Sequence, residues 1–172
     1  MYIVEQMDFW ERVKKSVLVA DGALGTMFYQ KGVPKGHCYD ELSISQPDLV
    51  KEIHTAYITA GAELIETNTF GANGYILGKY YDFGGKTREI NYQGAKIACQ
   101  AAKNKVLVAG SVGPITRPLE TTERLKLTEI HELFKEQIEA LADGGVNAII
   151  LETMASLEEL IEGFKATREV PD

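Results

Sequence analysis

Residues 61–73, Gly61-Ala62-Glu63-Leu64-Ile65-Glu66-Thr67-Asn68-Thr69-Phe70-Gly71-Ala72-Asn73, carry a short strand pattern that stops abruptly in a polar, glycine-bearing loop. A second stretch, Gly145 to Met154, repeats the pattern. Laid on the first without gaps it sets Gly145 on Gly61, Ile149 on Ile65, Glu152 on Asn68 and Thr153 on Thr69. Each strand therefore begins after a glycine that follows a helix-like run and ends in a polar pair. Alternation along a strand puts Asn68 on the face of Leu64, and Glu152 on the face of Ala148. Two polar groups are thus expected to converge at the carboxyl ends of parallel strands, where strand–helix repeat proteins build their sites.

The rest of the chain repeats this grammar. A short amphipathic helix is expected over Asp8 to Lys15, with Phe9, Trp10 and Val13 turned inward, leading to a buried strand at Val17 to Ala20. That strand ends at Asp21-Gly22-Ala23-Leu24-Gly25-Thr26, a carboxylate followed by small residues whose backbone N–H groups a ligand can approach. By itself the segment also reads as a plain turn in which Asp21 accepts local backbone hydrogen bonds. A long loop is expected over Lys31 to Ile44. Ser45-Gln46-Pro47-Asp48 then signals a helix start, with Leu49, Val50, Ile53, Tyr57 and Ile58 on its apolar face and Gly61 at its end.

Gly71 to Gly85 reads as a loop or broken helix, and Thr87 opens a helix rich in small residues, which let it lie close to a sheet. Val106 to Ala109 forms the third strand. Gly110-Ser111-Val112-Gly113-Pro114 after it is only a GxxG, without the full glycine pattern of a dinucleotide site. A helix over about Thr128 to Ala142, a strand over Ala148 to Thr153 and a last helix opened by the capping box Ser156-Leu157-Glu158-Glu159 complete the series. Pro171 stands where a fifth strand would be approached.

Four strand–helix units with strands roughly forty residues apart predict a parallel sheet with helices outside it. An eight-unit barrel of this kind takes about 250 residues, so the expectation is about half of one. An open doubly wound sheet stays open as the alternative.

Composition narrows the function classes. The 172 residues carry a formal net charge of −7, with 45% hydrophobic and 25% charged residues, and no basic patch or stripe. This argues against a nucleic-acid partner and for an ordinary soluble chain. Without a leader-like or membrane-spanning run, cytoplasm is the expected location and no membrane partner is expected. Cys38 and Cys99 lack CxxC spacing, which points to reduced thiols rather than a disulfide or a cysteine-based metal site. Cys99 is expected as a buried structural thiol on the inner face of its helix. His37 beside Cys38 makes a poor metal site without further partners. His54 and His131 read as surface or interface histidines within helices.

Taken together, Asp21-Gly22-Ala23-Leu24-Gly25-Thr26-Met27, Glu66-Thr67-Asn68-Thr69-Phe70-Gly71-Ala72-Asn73, Gly110-Ser111-Val112-Gly113-Pro114 and Ile150-Leu151-Glu152-Thr153 resemble the homocysteine S-methyltransferase family, with Glu41-Leu42-Ser43-Ile44-Ser45-Gln46-Pro47 as a linking block. The likeness is to the amino-terminal homocysteine-binding module of methionine synthases and related bifunctional bacterial enzymes, and runs from near residue 17 to the end. It implies a (β/α)8 TIM barrel, of which residues 1–172 supply about the first four units as a half-barrel. It also implies methyl transfer to the thiol of homocysteine, held as thiolate by zinc, to give methionine.

On that resemblance, Asp21 and Glu152 hold the amino group of homocysteine, the amides of Gly22 and Ala23 meet its carboxylate, and Asn68 and Thr69 line the pocket. The family's zinc ligands are cysteines on later strands, and neither Cys38 nor Cys99 matches them. No metal ligand and no catalytic group is assigned within 1–172 for that reason. Cobalamin or folate would act through other domains, and the methyl donor is left open among methyltetrahydrofolate, S-methylmethionine and S-adenosylmethionine. The remaining barrel half, or a second copy, is the expected macromolecular partner. The rival reading is a non-catalytic half-barrel that binds a small molecule or serves assembly.

Overall fold

The computed structural model describes residues 9–116 and 125–170. The chain's start up to Asp8, residues 117–124, and Pro171 with the expected fifth-strand approach lie outside the described residues. In order the elements are α1 (Phe9–Lys15), α2 (Leu24–Gln30), α3 (Leu42–Ser45), α4 (Pro47–Ala60), β1 (Leu64–Glu66), α5 (Gly74–Tyr81), a short 3-10 turn (Gly84–Lys86), α6 (Thr87–Ala102), β2 (Leu107–Val112), α7 (Leu127–Gly144), β3 (Ala148–Leu151) and α8 (Leu157–Glu169).

The strands pair in parallel in the order β1-β2-β3, with Leu64 opposite Leu107 and Ala109 opposite Ala148. Both organising strands follow a left-handed glycine, Gly61 at φ 110° and Gly145 at φ 94°, a backbone conformation that glycine adopts without steric cost. These glycines end α4 and α7 and turn the chain into β1 and β3. The expected strand at Val17 to Ala20 is reduced to one parallel bridge, Ala20 to Leu64, with Val17 89% and Val19 57% exposed. Val19 O nevertheless accepts from Glu63 N and Leu64 N, and Asp21 N donates to Leu64 O, so the segment runs alongside β1 and delivers Asp21 to its end.

The two faces of the sheet differ. Ile65 and Val108 pack with Ala62, Ala98 and Ala102 against the helices, and Val112, Ile149 and Leu151 pack with Phe134, Ile138 and Leu141. Leu64, Leu107 and Ala109 point the other way, where Phe9, Leu18 and Ile150 meet them. Among the described residues, then, the helices that follow and precede the strands, α4, α6, α7 and α8, all lie on one face and α1 meets the other through Phe9, whereas a doubly wound sheet carries its connecting helices on both. Burying each large side chain of these clusters contributes about 1.5–3 kcal/mol.

Close packing of the helices explains several glycines. A Cβ on Gly144 would stand 2.3 Å from Ala95 Cβ, and one on Gly94 2.7 Å from the Thr69 methyl group. The GxxG of β2 has the same origin, since a Cβ on Gly110 would meet Ile149 and Leu141, and one on Gly113 would meet Phe70. These glycines serve packing, not phosphate binding.

Local expectations need several corrections. No residue of α1 is buried, and Trp10 and Val13 are 66% and 44% exposed, because the sheet face beneath α1 is met by Phe9 alone from this helix. The cap of α4 is Gln46, with no side-chain cap bond, since the Ser45 hydroxyl is drawn to Glu41 Oε1. The capping box at α8 is half made: Ser156 Oγ accepts from Glu159 N, but the Glu159 carboxylate turns to Ile115 N and the Thr116 hydroxyl. It thereby ties the loop after β2 to the start of α8. β3 ends at Leu151, not Thr153.

His54 is fully buried rather than at the surface, lying four residues beyond buried Val50 on the inward face of α4. His131 sits at the α7–α8 interface between Glu162 and Glu169. Cys99 is half-buried, its thiol donating to Gly145 O, while Cys38 is the buried thiol, packed with Ala72, Leu77 and Ile90.

Candidate functional site

A cavity of about 820 Å³ opens at the carboxyl ends of the strands. Asp21, Gly22, Ala23, Asn68, Thr69 and Glu152, the six residues singled out in the sequence, all line it, together with Tyr39, Asp40, Glu66, Ser111 and Thr116 among others. Among the described residues, no lysine, arginine or histidine is in its lining.

The six are not alike. Asp21 lies where the segment beside β1 gives way to α2, and its Oδ2 accepts from Glu66 N at 3.1 Å. Glu152 follows β3, its N–H donating to Val112 O and its Oε1 accepting from the Ser111 hydroxyl at 2.5 Å. Gly22 and Ala23 lead into α2, whose first turn has no side-chain cap. The absence of a side chain at Gly22 leaves room for Tyr57, whose hydroxyl donates to Ala23 O.

Asn68 and Thr69 are spoken for by the protein. Asn68 Nδ2 donates to Tyr39 O at 2.7 Å, and Thr69 Oγ1 lies 2.6 Å from Thr67 Oγ1 and donates to Ser111 O. Asn68 therefore does not take the place opposite Glu152 that strand alternation gives it. β1 ends at Glu66, and the bond from Thr69 N to Thr67 O curls the chain before Asn68 is reached. Glu66 is the polar group that continues the face of Leu64, and it lines the cavity together with Glu152.

Three carboxyls thus share the mouth. Burial pushes Asp21 up to about 6, against the hydrogen bond from Glu66 N, and the charge of Glu152 adds to the rise. Burial, then the charge and hydrogen bond of Glu152, then the charge of Asp21 raise Glu66 to about 7. Like charges in a partly desolvated site disfavour full ionisation. Deeper towards α5, Asp40 is pushed up to about 6 by burial while its Oδ1 accepts from Gly71 N at 3.0 Å.

Glu66 and Asp40 escape a reading of the sequence for different reasons. Glu66 falls on the correct alternation phase, and noticing where the strand must end would have found it. Asp40 sits in the loop before α3, and only the folding of that loop over the β1–α5 connection brings it to the cavity.

The described residues do not make a zinc site. No group of three or more His, Cys, Asp or Glu side chains among them is arranged to hold a metal. Burial pushes the Cys38 thiol up to about 12, with Asp40 adding to the rise, so it is a poor thiolate ligand. Cys99 is turned to Gly145 on the helix layer. His37 is paired with Glu41 at 2.7 Å.

A family model described as homocysteine S-methyltransferase matches residues 18–170. Methionine synthases of Mycobacterium leprae (strain TN) and Mycobacterium tuberculosis (strain ATCC 25618 / H37Rv) are each 33% identical over 165 residues, covering 89% of this chain. The chain spans 14% of the length of those relatives. Crystal structures of the homocysteine methyltransferase MmuM from Escherichia coli share the fold. The metallated form has TM-score 0.77 at 21% identity over 95% of this chain and 64% of its own, and the oxidized form 0.76 at 22% over 92% and 61%. With an acid-lined mouth at the ends of parallel strands and a family match over nearly all of its length, the chain belongs to the homocysteine S-methyltransferase family.

Proposed function

We propose that this chain is the homocysteine-binding part of a homocysteine S-methyltransferase, contributing about the first four units of an eight-unit barrel. The observation that carries this reading is the meeting of Asp21, Glu66 and Glu152 at one cavity whose lining, among the described residues, holds no cationic side chain. An α-ammonium group is the complement such a mouth lacks. Asp21 and Glu152 accept its hydrogen bonds, Ser111 holds Glu152 in place, and the N–H groups of Gly22 and Ala23 receive the α-carboxylate. Asn68 and Thr69, fixed by their own bonds, form the wall beside it.

Zinc, where the family uses it, supplies the homocysteine thiolate. The residues described here bind and orient the amino-acid end and are assigned no step at the sulfur. The same cavity would also serve a non-catalytic binding or assembly module, a reading favoured by Leu157, Ile161 and Phe164, exposed as an apolar row on α8. The two readings differ in whether methyl transfer accompanies binding.

Calorimetry with L-homocysteine tests the site. Charge-assisted hydrogen bonds are worth about 1.5–3 kcal/mol each, so Asp21→Asn and Glu152→Gln should each weaken binding roughly ten- to a hundredfold. The deaminated analogue 4-mercaptobutanoate should lose nothing further in either mutant protein. Unaltered homocysteine affinity in both removes the assignment.

A further inference from the structure

Tyr57 sits on α4, behind the wall of the cavity rather than in its lining. Its hydroxyl donates to Ala23 O at 3.2 Å. The ring is held from two sides, packing against the cluster of Phe28, Val50 and Ile53 and against that of Ala62, Ile65 and Ala98. Its own carbonyl accepts from Ala62 N at 3.1 Å, across the Gly61 turn that leads into β1. Tyr57 is therefore fixed in place, and Ala23 is tied to it.

Gly22 carries a second observation. It is not one of the glycines with a left-handed backbone, so its conformation does not demand glycine. What it leaves is room, since a Cβ there would stand 3.2 Å from the Tyr57 hydroxyl oxygen and 3.4 Å from Cε1 of its ring. A side chain at 22 would push the ring and the segment apart. Residues 21–23 are thus anchored at both ends. Asp21 N donates to Leu64 O at 3.0 Å and Asp21 Oδ2 accepts from Glu66 N, while Tyr57 holds Ala23.

We infer that Tyr57 is a positioning residue: by holding the Ala23 carbonyl it orients the Gly22 and Ala23 N–H groups for the substrate's α-carboxylate, and residue 22 is glycine so that this contact can form. This rests on the homocysteine-binding reading. Hydrogen bonds weaken steeply as their angle departs from linear, and a segment free to turn must also be ordered when the ligand arrives. Tyr57 removes both penalties at the carboxylate. It does not serve the ammonium, because Asp21 is held by Leu64 O and Glu66 N instead.

The test has two arms, and Tyr57→Phe suits both because it keeps the ring in its two clusters. In the first, calorimetry compares L-homocysteine with 3-mercaptopropylamine, which has the amine and the thiol but no carboxylate. Tyr57→Phe is expected to weaken homocysteine about three- to tenfold, the worth of one neutral hydrogen bond, and to leave 3-mercaptopropylamine unchanged. Unchanged homocysteine affinity overturns the inference. So does an equal loss for both ligands, which is what a merely structural role would give. A wild type that binds neither ligand refutes the homocysteine-binding reading, and the inference with it. The second arm needs no ligand: urea unfolding of Gly22→Ala, Tyr57→Phe and the double variant. Gly22→Ala should lower the midpoint in wild type and by less than about half as much in Tyr57→Phe, where the nearest atom is gone. Additive losses would show that the contact between residues 22 and 57 is not made, and overturn the inference whatever binds.

Discussion

Replacing His54 with leucine tests how a buried imidazole sets the acid limit of this fold. His54 is fully buried within α4, and neither ring nitrogen meets a hydrogen-bond partner among the described residues. Burial alone lowers its pKa from 6.5 to about 4. A folded-state value below the unfolded one means that the unfolded chain takes up the proton first. The folded state is therefore unpenalised above about pH 6.5 and loses stability as pH falls towards 4. At about 1.4 kcal/mol per tenfold change in proton affinity, the full loss is about 3 kcal/mol, of which about 2 kcal/mol has accrued by pH 5.

His54→Leu removes the titrating group and both unpaired nitrogens while keeping a side chain of similar bulk. Asp21, Asp40 and Glu66, whose raised values make the folded state gain stability on acidification, work in the opposite sense in both proteins and cancel in the comparison. Urea unfolding at about pH 8 and about pH 5 is the assay. The advantage of His54→Leu should grow by about 2 kcal/mol between them, a shift of about 1 M in midpoint for a slope of about 2 kcal/mol/M. An advantage that stays constant across this range refutes the argument, because it would mean that the folded protein protonates His54 as readily as the unfolded chain.

Two further expectations concern packing. Gly144→Ala forces a methyl group against Ala95, and should destabilise by about 1–3 kcal/mol even though alanine favours helix by about 1 kcal/mol; a rise in urea midpoint would show that α6 and α7 can part at no cost. On α8, Leu157, Ile161 and Phe164 are 67%, 44% and 60% exposed, an apolar row large enough to associate. Sedimentation of the chain at several concentrations should show association that weakens when Phe164 and Ile161 are changed to lysine, and a wild-type monomer at every concentration would count against a sticky face.

Much of the fold is legible in the sequence because its signals are local. Gly61 and Gly145 turn α4 and α7 into their strands through their own left-handed backbone, and the small residues of α6 announce a helix close to its neighbours. Strand order and parity place Glu152 at the end of a parallel sheet, whereas Asp21 reads as more than a plain turn only through the family resemblance; the structure brings both to one cavity. What the tertiary structure decided depends on partners distant in sequence. The end of β1 is set by Thr67 N on Ala109 O and by the Thr67–Thr69–Ser111 bonds, so Glu66 rather than Asn68 continues the face of Leu64 into the cavity that Glu152 lines. Asp40 reaches the cavity only because its carboxylate caps Gly71 N thirty-one residues away. Val17 to Ala20 pairs through one bridge because an apolar run specifies burial, while a ladder needs a neighbour in register. Local conformation is written in single residues, whereas the meeting of Asp21, Glu66 and Glu152 at one cavity depends on which backbones the sheet brings side by side.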